Sequence, residues 1–143
     1  MKSKQRGDLN ESRIGHPASY YNERDTFLDC MGPVNLSASS QWGFFNAVIS
    51  ASHNPNPGHF GEVVLRPVIV HDKAWITTGC ILYDCEIGEG AIVSVGSVVR
   101  SRIVPPWTIV EGNPAMIVAR YNREEKRWAY QDPEPLERFH HAK

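Results

Sequence analysis

The side chains that titrate near neutral pH are six histidines: His16, His53, His59, His71, His140 and His141. An imidazole in that range can take a proton from a hydroxyl and give it to a leaving group. His53 ends the stretch Ser50-Ala-Ser-His-Asn, just ahead of a turn-rich segment. A surface histidine at the start of a loop is the plainer alternative. His59 lies inside that segment and reads as a solvated loop residue. His71 reads as structural, and the other three lie in segments without a pattern. Three arginines, Arg100, Arg102 and Arg120, cluster late in the chain. A guanidinium can bind phosphate in a bidentate way, although the same residues suit a solvated edge. The cysteines, Cys30, Cys80 and Cys85, form no CxxC pair. Their odd number gives neither a disulfide framework nor a zinc-finger spacing, so they read as small, buried free thiols.

The elements that must position these groups follow from a repeat. The chain has 143 residues, 22% charged and 41% hydrophobic, with a net charge of -1. One globular domain fits, while a general nucleic-acid binder, which needs a basic surface, does not. No apolar run approaches the length of a membrane span, and the basic start lacks the apolar stretch of a signal peptide. A cytoplasmic location is expected. Residues 1–33 are polar and irregular. Leu36, Trp42 and Val48 then sit six apart, as do Val70, Ile76 and Leu82, and Ile87, Val93 and Val99. Small residues follow four positions later: Ser40, Asn46, Ser52, Ala74, Cys80, Ala91 and Ser97. Only the step from Leu82 to Ile87 is one short.

A six-residue period with glycine and serine between the apolar positions cannot be a helix, which needs apolar residues three and four apart. Stacked short strands bury a continuous interior instead, which gives an all-β solenoid, a parallel β-helix of hexapeptide repeats over 34–121. An ordinary β-sandwich would alternate but would not hold a six-residue phase across an insertion. Trp42 is large for such an interior. Residues 54–67 read as a loop insertion, rich in Asn-Pro and Gly. Pro105-Pro106 stops the repeat, and strands are expected at 107–110 and 116–121, with a turn at Glu111-Gly-Asn-Pro. Residues 122–130 read as a short C-terminal helix, with Asn122 as N-cap and two early glutamates. The remainder of 122–143 reads as a tail.

The residues that carry a resemblance are Ala74-Trp-Ile, Ile87-Gly-Glu-Gly-Ala-Ile, Gly96-Ser-Val-Val and above all Val104-Pro-Pro-Trp-Thr-Ile-Val-Glu-Gly-Asn-Pro-Ala. Together with Thr26-Phe-Leu-Asp and Ser52-His-Asn, they resemble the hexapeptide-repeat acyltransferases. The nearest types are maltose/galactoside acetyltransferases and those of capsule and colanic-acid biosynthesis. The resemblance implies a left-handed β-helix, a homotrimer with active sites between subunits, and acetyl-CoA as co-substrate. It also implies transfer of acetyl to a hydroxyl of a sugar or glycan precursor, with His53 as general base. It places Trp75, Thr78 and Val95 along the cofactor wall, where the family's usual alanine is replaced by Val95. Arg100, Arg102 and Arg120 would meet the CoA phosphates, with Ser101 where the family often has lysine. Related β-helices include zinc-type carbonic anhydrases, but His53, His59 and His71 lie 6 and 12 apart and do not match that spacing, so no metal is expected. The rival readings are an amino-sugar N-acetyltransferase and a non-catalytic β-helix scaffold.

Overall fold

In a computed structural model, which describes residues 4–6 and 25–139, the described chain is all β. Three sheets share one interior. The first joins β1 (Lys4–Arg6), β2 (Phe27–Asp29), β5 (Ala47–Ile49), β10 (Ile81–Tyr83) and β13 (Val98–Arg100). The second joins β3 (Val34–Leu36), β8 (Val68–Val70), β11 (Cys85–Ile87) and β14 (Arg102–Val104). The third joins β4 (Gln41–Trp42), β9 (Trp75–Ile76), β12 (Ile92–Val93) and β15 (Thr108–Gly112). These strands pair in parallel, and the chain visits the three faces in fixed rotation. A six-residue period therefore becomes one strand and one corner per face.

Paired residues in successive coils lie 17 apart, as Val68 with Cys85, Ile81 with Val98 and Ile92 with Ile109. That is one short of three full hexads. The missing residue belongs to the corner between the first and second faces, where Asp84 or Ser101 turns the chain alone, each at φ 55. Ser101 Oγ donates to Asp84 Oδ2 at 2.7 Å, so the two corners are stacked and bonded. At the next corner Gly90, at φ 67, leaves room for the Trp107 ring, which an added Cβ would meet at 2.4 Å.

All nine hexad leaders are buried. Each apolar side chain so placed contributes about 1.5–3 kcal/mol. Trp42 fits because β4 is the end strand of its face, where a large ring covers the interior. Its Nε1 donates to Ser40 Oγ at 2.9 Å. The cysteines are buried free thiols, and desolvation pushes Cys80 and Cys85 up from the ordinary thiol pKa.

Two expectations are corrected. The segment expected as a loop at 54–67 is mostly a β-hairpin of β6 (Ala51–Asn56) and β7 (His59–Leu65), turning at Gly58, φ 83. Ser52, one of the small residues of the repeat, lies on this hairpin and is half-buried, while Ser50 takes the interior corner. The expected helix over 122–130 is a second hairpin, made of β16 (Ala115–Asn122) and β17 (Arg127–Pro135). The unpaired edge of β15 supplies the reason: β16 and β17 extend its sheet antiparallel, and backbone groups at a sheet edge need partners. Tyr121 packs on both Trp107 and Trp128, so aromatic contacts outweigh local helix propensity. Asn122 Oδ1 does accept from Glu125 N at 2.9 Å, but this contact closes the hairpin turn. After β17 the chain returns as β18 (Glu137–Arg138), antiparallel to β14.

Candidate active site

The hairpin that carries His53 is fixed at its root. Ser50 Oγ donates to the Asp29 carbonyl and accepts from Gly32 N at 2.9 Å, while Ser50 O accepts from Arg66 N at 2.7 Å. A Cβ on Gly32 would stand 2.1 Å from Ser50 O, so only glycine allows this approach. His53 sits on β6, half-buried, three residues beyond the clamp. Its Nδ1 lies 2.9 Å from the Gly61 carbonyl, and its ring stacks on Phe60 at 5.1 Å between centroids. A carbonyl can only accept, so Nδ1 carries the proton. In the neutral ring Nε2 is then the nitrogen with the lone pair, which is the form a general base requires. His59 stands exposed near the hairpin tip. His71 lies at an exposed corner, with Nε2 2.7 Å from Glu86 Oε2. His16, His140 and His141 lie outside the described residues.

Trp75 and Val95 come together. They line one groove of about 730 Å³ along the third face, with Ile92, Ile109, Trp128 and Tyr130. Trp75, Ile92 and Ile109 form a single outward row across the strands. Thr78 stands at the corner beside this groove, where its Oγ1 accepts from Phe44 N at 3.3 Å and its carbonyl from Gly96 N at 2.9 Å. Thr77 lines the groove in its place. Trp128 and Tyr130 were missed by the sequence reading because a helix was expected there. Their alternation with the neighbouring residues was the available signal.

Arg100 and Arg102 also come together, in a second groove at the corner between the first and second faces. Arg120 does not join them. It lies on β16, with Nη2 3.1 Å from both carboxylate oxygens of Glu134. Gln131 and Arg120 hold the Glu134 carboxyl below the usual range. The structure thus separates the expected site residues into two sets. His53, Arg100 and Arg102 belong to the corner between the first and second faces. Trp75, Val95 and Arg120 belong to the third face, which lies across the coil from that corner.

No protein-family profile matches the chain. A putative lipopolysaccharide biosynthesis O-acetyl transferase, WbbJ of Escherichia coli K12, is 37% identical over 62 residues, which cover 43% of this chain and 31% of that protein. A maltose O-acetyltransferase from Clostridium difficile 630 matches in structure with a TM-score of 0.57 and 23% identity, over 66% of this chain and 51% of that one. The hexapeptide-repeat acetyltransferase VCA0836 of Vibrio cholerae matches with a TM-score of 0.53 and 27% identity, over 64% of this chain and 57% of that one. Its structure is also known with acetyl coenzyme A. The chain therefore spans about a third of the curated relative and about half of the maltose enzyme. Over part of its sequence and in the course of its backbone, the chain is similar to hexapeptide-repeat acetyltransferases.

Proposed function

We propose that this protein transfers an acetyl group from acetyl-CoA to a hydroxyl of a sugar or glycan precursor, in a site shared between subunits of a left-handed β-helical trimer. The observation that carries this reading is the placement of His53, whose Nδ1 lies 2.9 Å from the Gly61 carbonyl, so that in the neutral ring Nε2 is the nitrogen that can accept a proton. Acetyl-CoA would supply the acetyl group as an activated thioester. His53 Nε2 takes the hydroxyl proton as that oxygen bonds to the acetyl carbon and the carbon–sulfur bond breaks. The histidinium then returns the proton to the departing thiolate, which balances the transfer.

The separation of the two sets supports an assembly. A corner of one chain set against the third face of another would bring His53, Arg100 and Arg102 to the groove of Trp75 and Val95. Head-to-tail contacts of this kind close into rings. The first face presents an outward apolar row, Phe27, Ala47, Ile81 and Val98, with Phe44 and Phe45 exposed nearby. Exposed apolar surface of this extent suits a subunit contact. Along the groove, Trp75 and Val95 would flank the pantetheine arm, with Thr78 at its side.

Calorimetry with acetyl-CoA on material of known oligomeric state, followed by acetyl transfer to a panel of sugar hydroxyls and amines, tests the reading. Saturable binding and transfer to a hydroxyl are expected. Transfer to amines alone would move the assignment to an amino-sugar enzyme. Absence of binding at millimolar acetyl-CoA by a folded trimer would remove it in favour of a scaffold.

A further inference from the structure

We propose that Phe60 is a positioning residue for His53: a β-bulge in β7 turns its ring onto the imidazole, and the stack keeps Nδ1 on the Gly61 carbonyl, so that Nε2 is the nitrogen left to accept a proton. The placement stands on the hairpin alone, and only the use made of Nε2 rests on the acetyl-transfer reading above. Along the hairpin Ala51 pairs with Leu65 and His53 with Val63, so these four side chains leave the same face. Two steps further β6 reaches Pro55, but its partner is Phe60, three steps from Val63. Gly61 and Glu62 of β7 thus stand opposite Asn54 alone, which is a bulge of one extra residue. Strict alternation would send a side chain three positions from Val63 to the opposite face. The extra residue cancels that flip and returns Phe60 to the face of His53, where the ring centroids lie 5.1 Å apart with 30° between the planes.

Glycine makes the bulge possible. A Cβ on Gly61 would stand 2.4 Å from Asn54 O, so a side chain there would force the strands apart. The carbonyl of the same residue is the one that faces His53 Nδ1 at 2.9 Å. Two adjacent residues therefore hold the imidazole, Gly61 at its edge and Phe60 on its face. The torsion that turns an imidazole about its Cβ–Cγ bond is soft and roughly two-fold. A ring packed on the face restrains that torsion, which one hydrogen bond at the edge does not do alone. Burial does not account for a phenylalanine here: Phe60 is 83% exposed, so little of its apolar area leaves water. Among the described residues, its one ring contact is His53.

The test compares the full-length protein with its Phe60→Leu and Phe60→Tyr variants. Leucine keeps an apolar side chain without a ring face, and tyrosine restores the ring. Long-range proton–nitrogen NMR of the neutral His53 ring, assigned against His53→Gln, is expected to show a protonated Nδ1 and an unprotonated Nε2 in the wild type. In Phe60→Leu the two nitrogen signals should move toward each other as the tautomers mix, and in Phe60→Tyr they should return. Acetyl transfer by Phe60→Leu should lose roughly 2- to 10-fold in kcat, the worth of one aromatic pair, with KM for acetyl-CoA unchanged. Tyrosine should recover most of that loss. Mixed tautomers in the wild type, or unmoved nitrogen signals in Phe60→Leu, overturn the proposal. So does a kcat that holds in Phe60→Leu, whether or not KM rises. If the wild type transfers no acetyl group to any acceptor, the acetyl-transfer reading fails, and the nitrogen signals decide the placement by themselves. Mixing in Phe60→Leu then upholds it, and unmoved signals remove it.

Discussion

The coils and the two hairpins handle the same requirement differently. Between Val68 and Val110 almost every inward side chain is fully buried, and every strand but the end strand β13 is held on both edges, by parallel neighbours one coil away or, on the outer edges of β14 and β15, by the antiparallel β18 and β16. The hairpin at 51–65 has no such neighbours. β6 and β7 pair with each other, and most of their side chains are exposed. The coil therefore carries the stability, while the hairpin carries His53, whose Nδ1 faces the Gly61 carbonyl. On the proposed reading the chemistry sits where a change of side chain costs the fold least, because a buried coil position tolerates no polar reactive group without a partner.

Five substitutions can break or sharpen this contrast. His53→Ala should lower turnover by about 10²- to 10⁴-fold while leaving the thermal midpoint near that of the wild type. Steady-state rates beside a melting curve check both halves. A variant with near-normal turnover would leave the hairpin without a catalytic role. In the coil, Leu82→Ala should cost about 2–5 kcal/mol in urea unfolding, because it opens a cavity in a fully buried ladder. On the hairpin, Val63→Ser replaces a side chain that is 47% exposed and should change stability by no more than about 0.5 kcal/mol. Equal losses at the two positions would end the distinction between scaffold and outgrowth.

The fourth change concerns the close packing of the corners. Gly90→Ala places a methyl group 2.4 Å from the Trp107 ring at a positive φ, and a loss of about 1–3 kcal/mol is expected in the same assay. The smallest effect is set by pH. Burial raises the Cys85 thiol above its ordinary pKa of 9.0. Below that value the thiol is neutral in both states and its contribution is intact. Above it the unfolded chain releases the proton while the folded chain retains it, so stability falls as pH rises. Cys85→Ala should flatten that alkaline decline in urea midpoints measured from about pH 8 upward.

The ladder was legible because its cause is local. A strand, a corner and a small residue recur every six positions, and any window of the sequence shows it. The five-residue step from Leu82 to Ile87 was visible too, but only the structure explains it, as a corner made by Asp84 alone. The helix expected at 122–130 rested on real signals, and the Asn122 contact formed as a capping residue would form it. Those signals lost to something no window contains: an open sheet edge at β15 and two tryptophans waiting on either side of Tyr121. The hairpin at 51–65 was hidden in the same way, since its prolines and glycines resemble those of an irregular loop.

For the site, the sequence singled out His53 and the late arginines by residue type and motif. It could not say which of them meet. Arg100 and Arg102 share a groove because a corner brings the ends of β13 and β14 together, and Arg138 reaches it only through the antiparallel return of the tail. Arg120 is drawn away by Glu134, 14 residues further on. By itself the sequence determined the period, the buried ladder and the residue types available for proton transfer and phosphate binding, because these depend on neighbours along the chain. The tertiary structure alone decided the two hairpins, the tautomer of His53 and the grouping of the arginines, because each depends on partners that only folding brings within hydrogen-bonding reach.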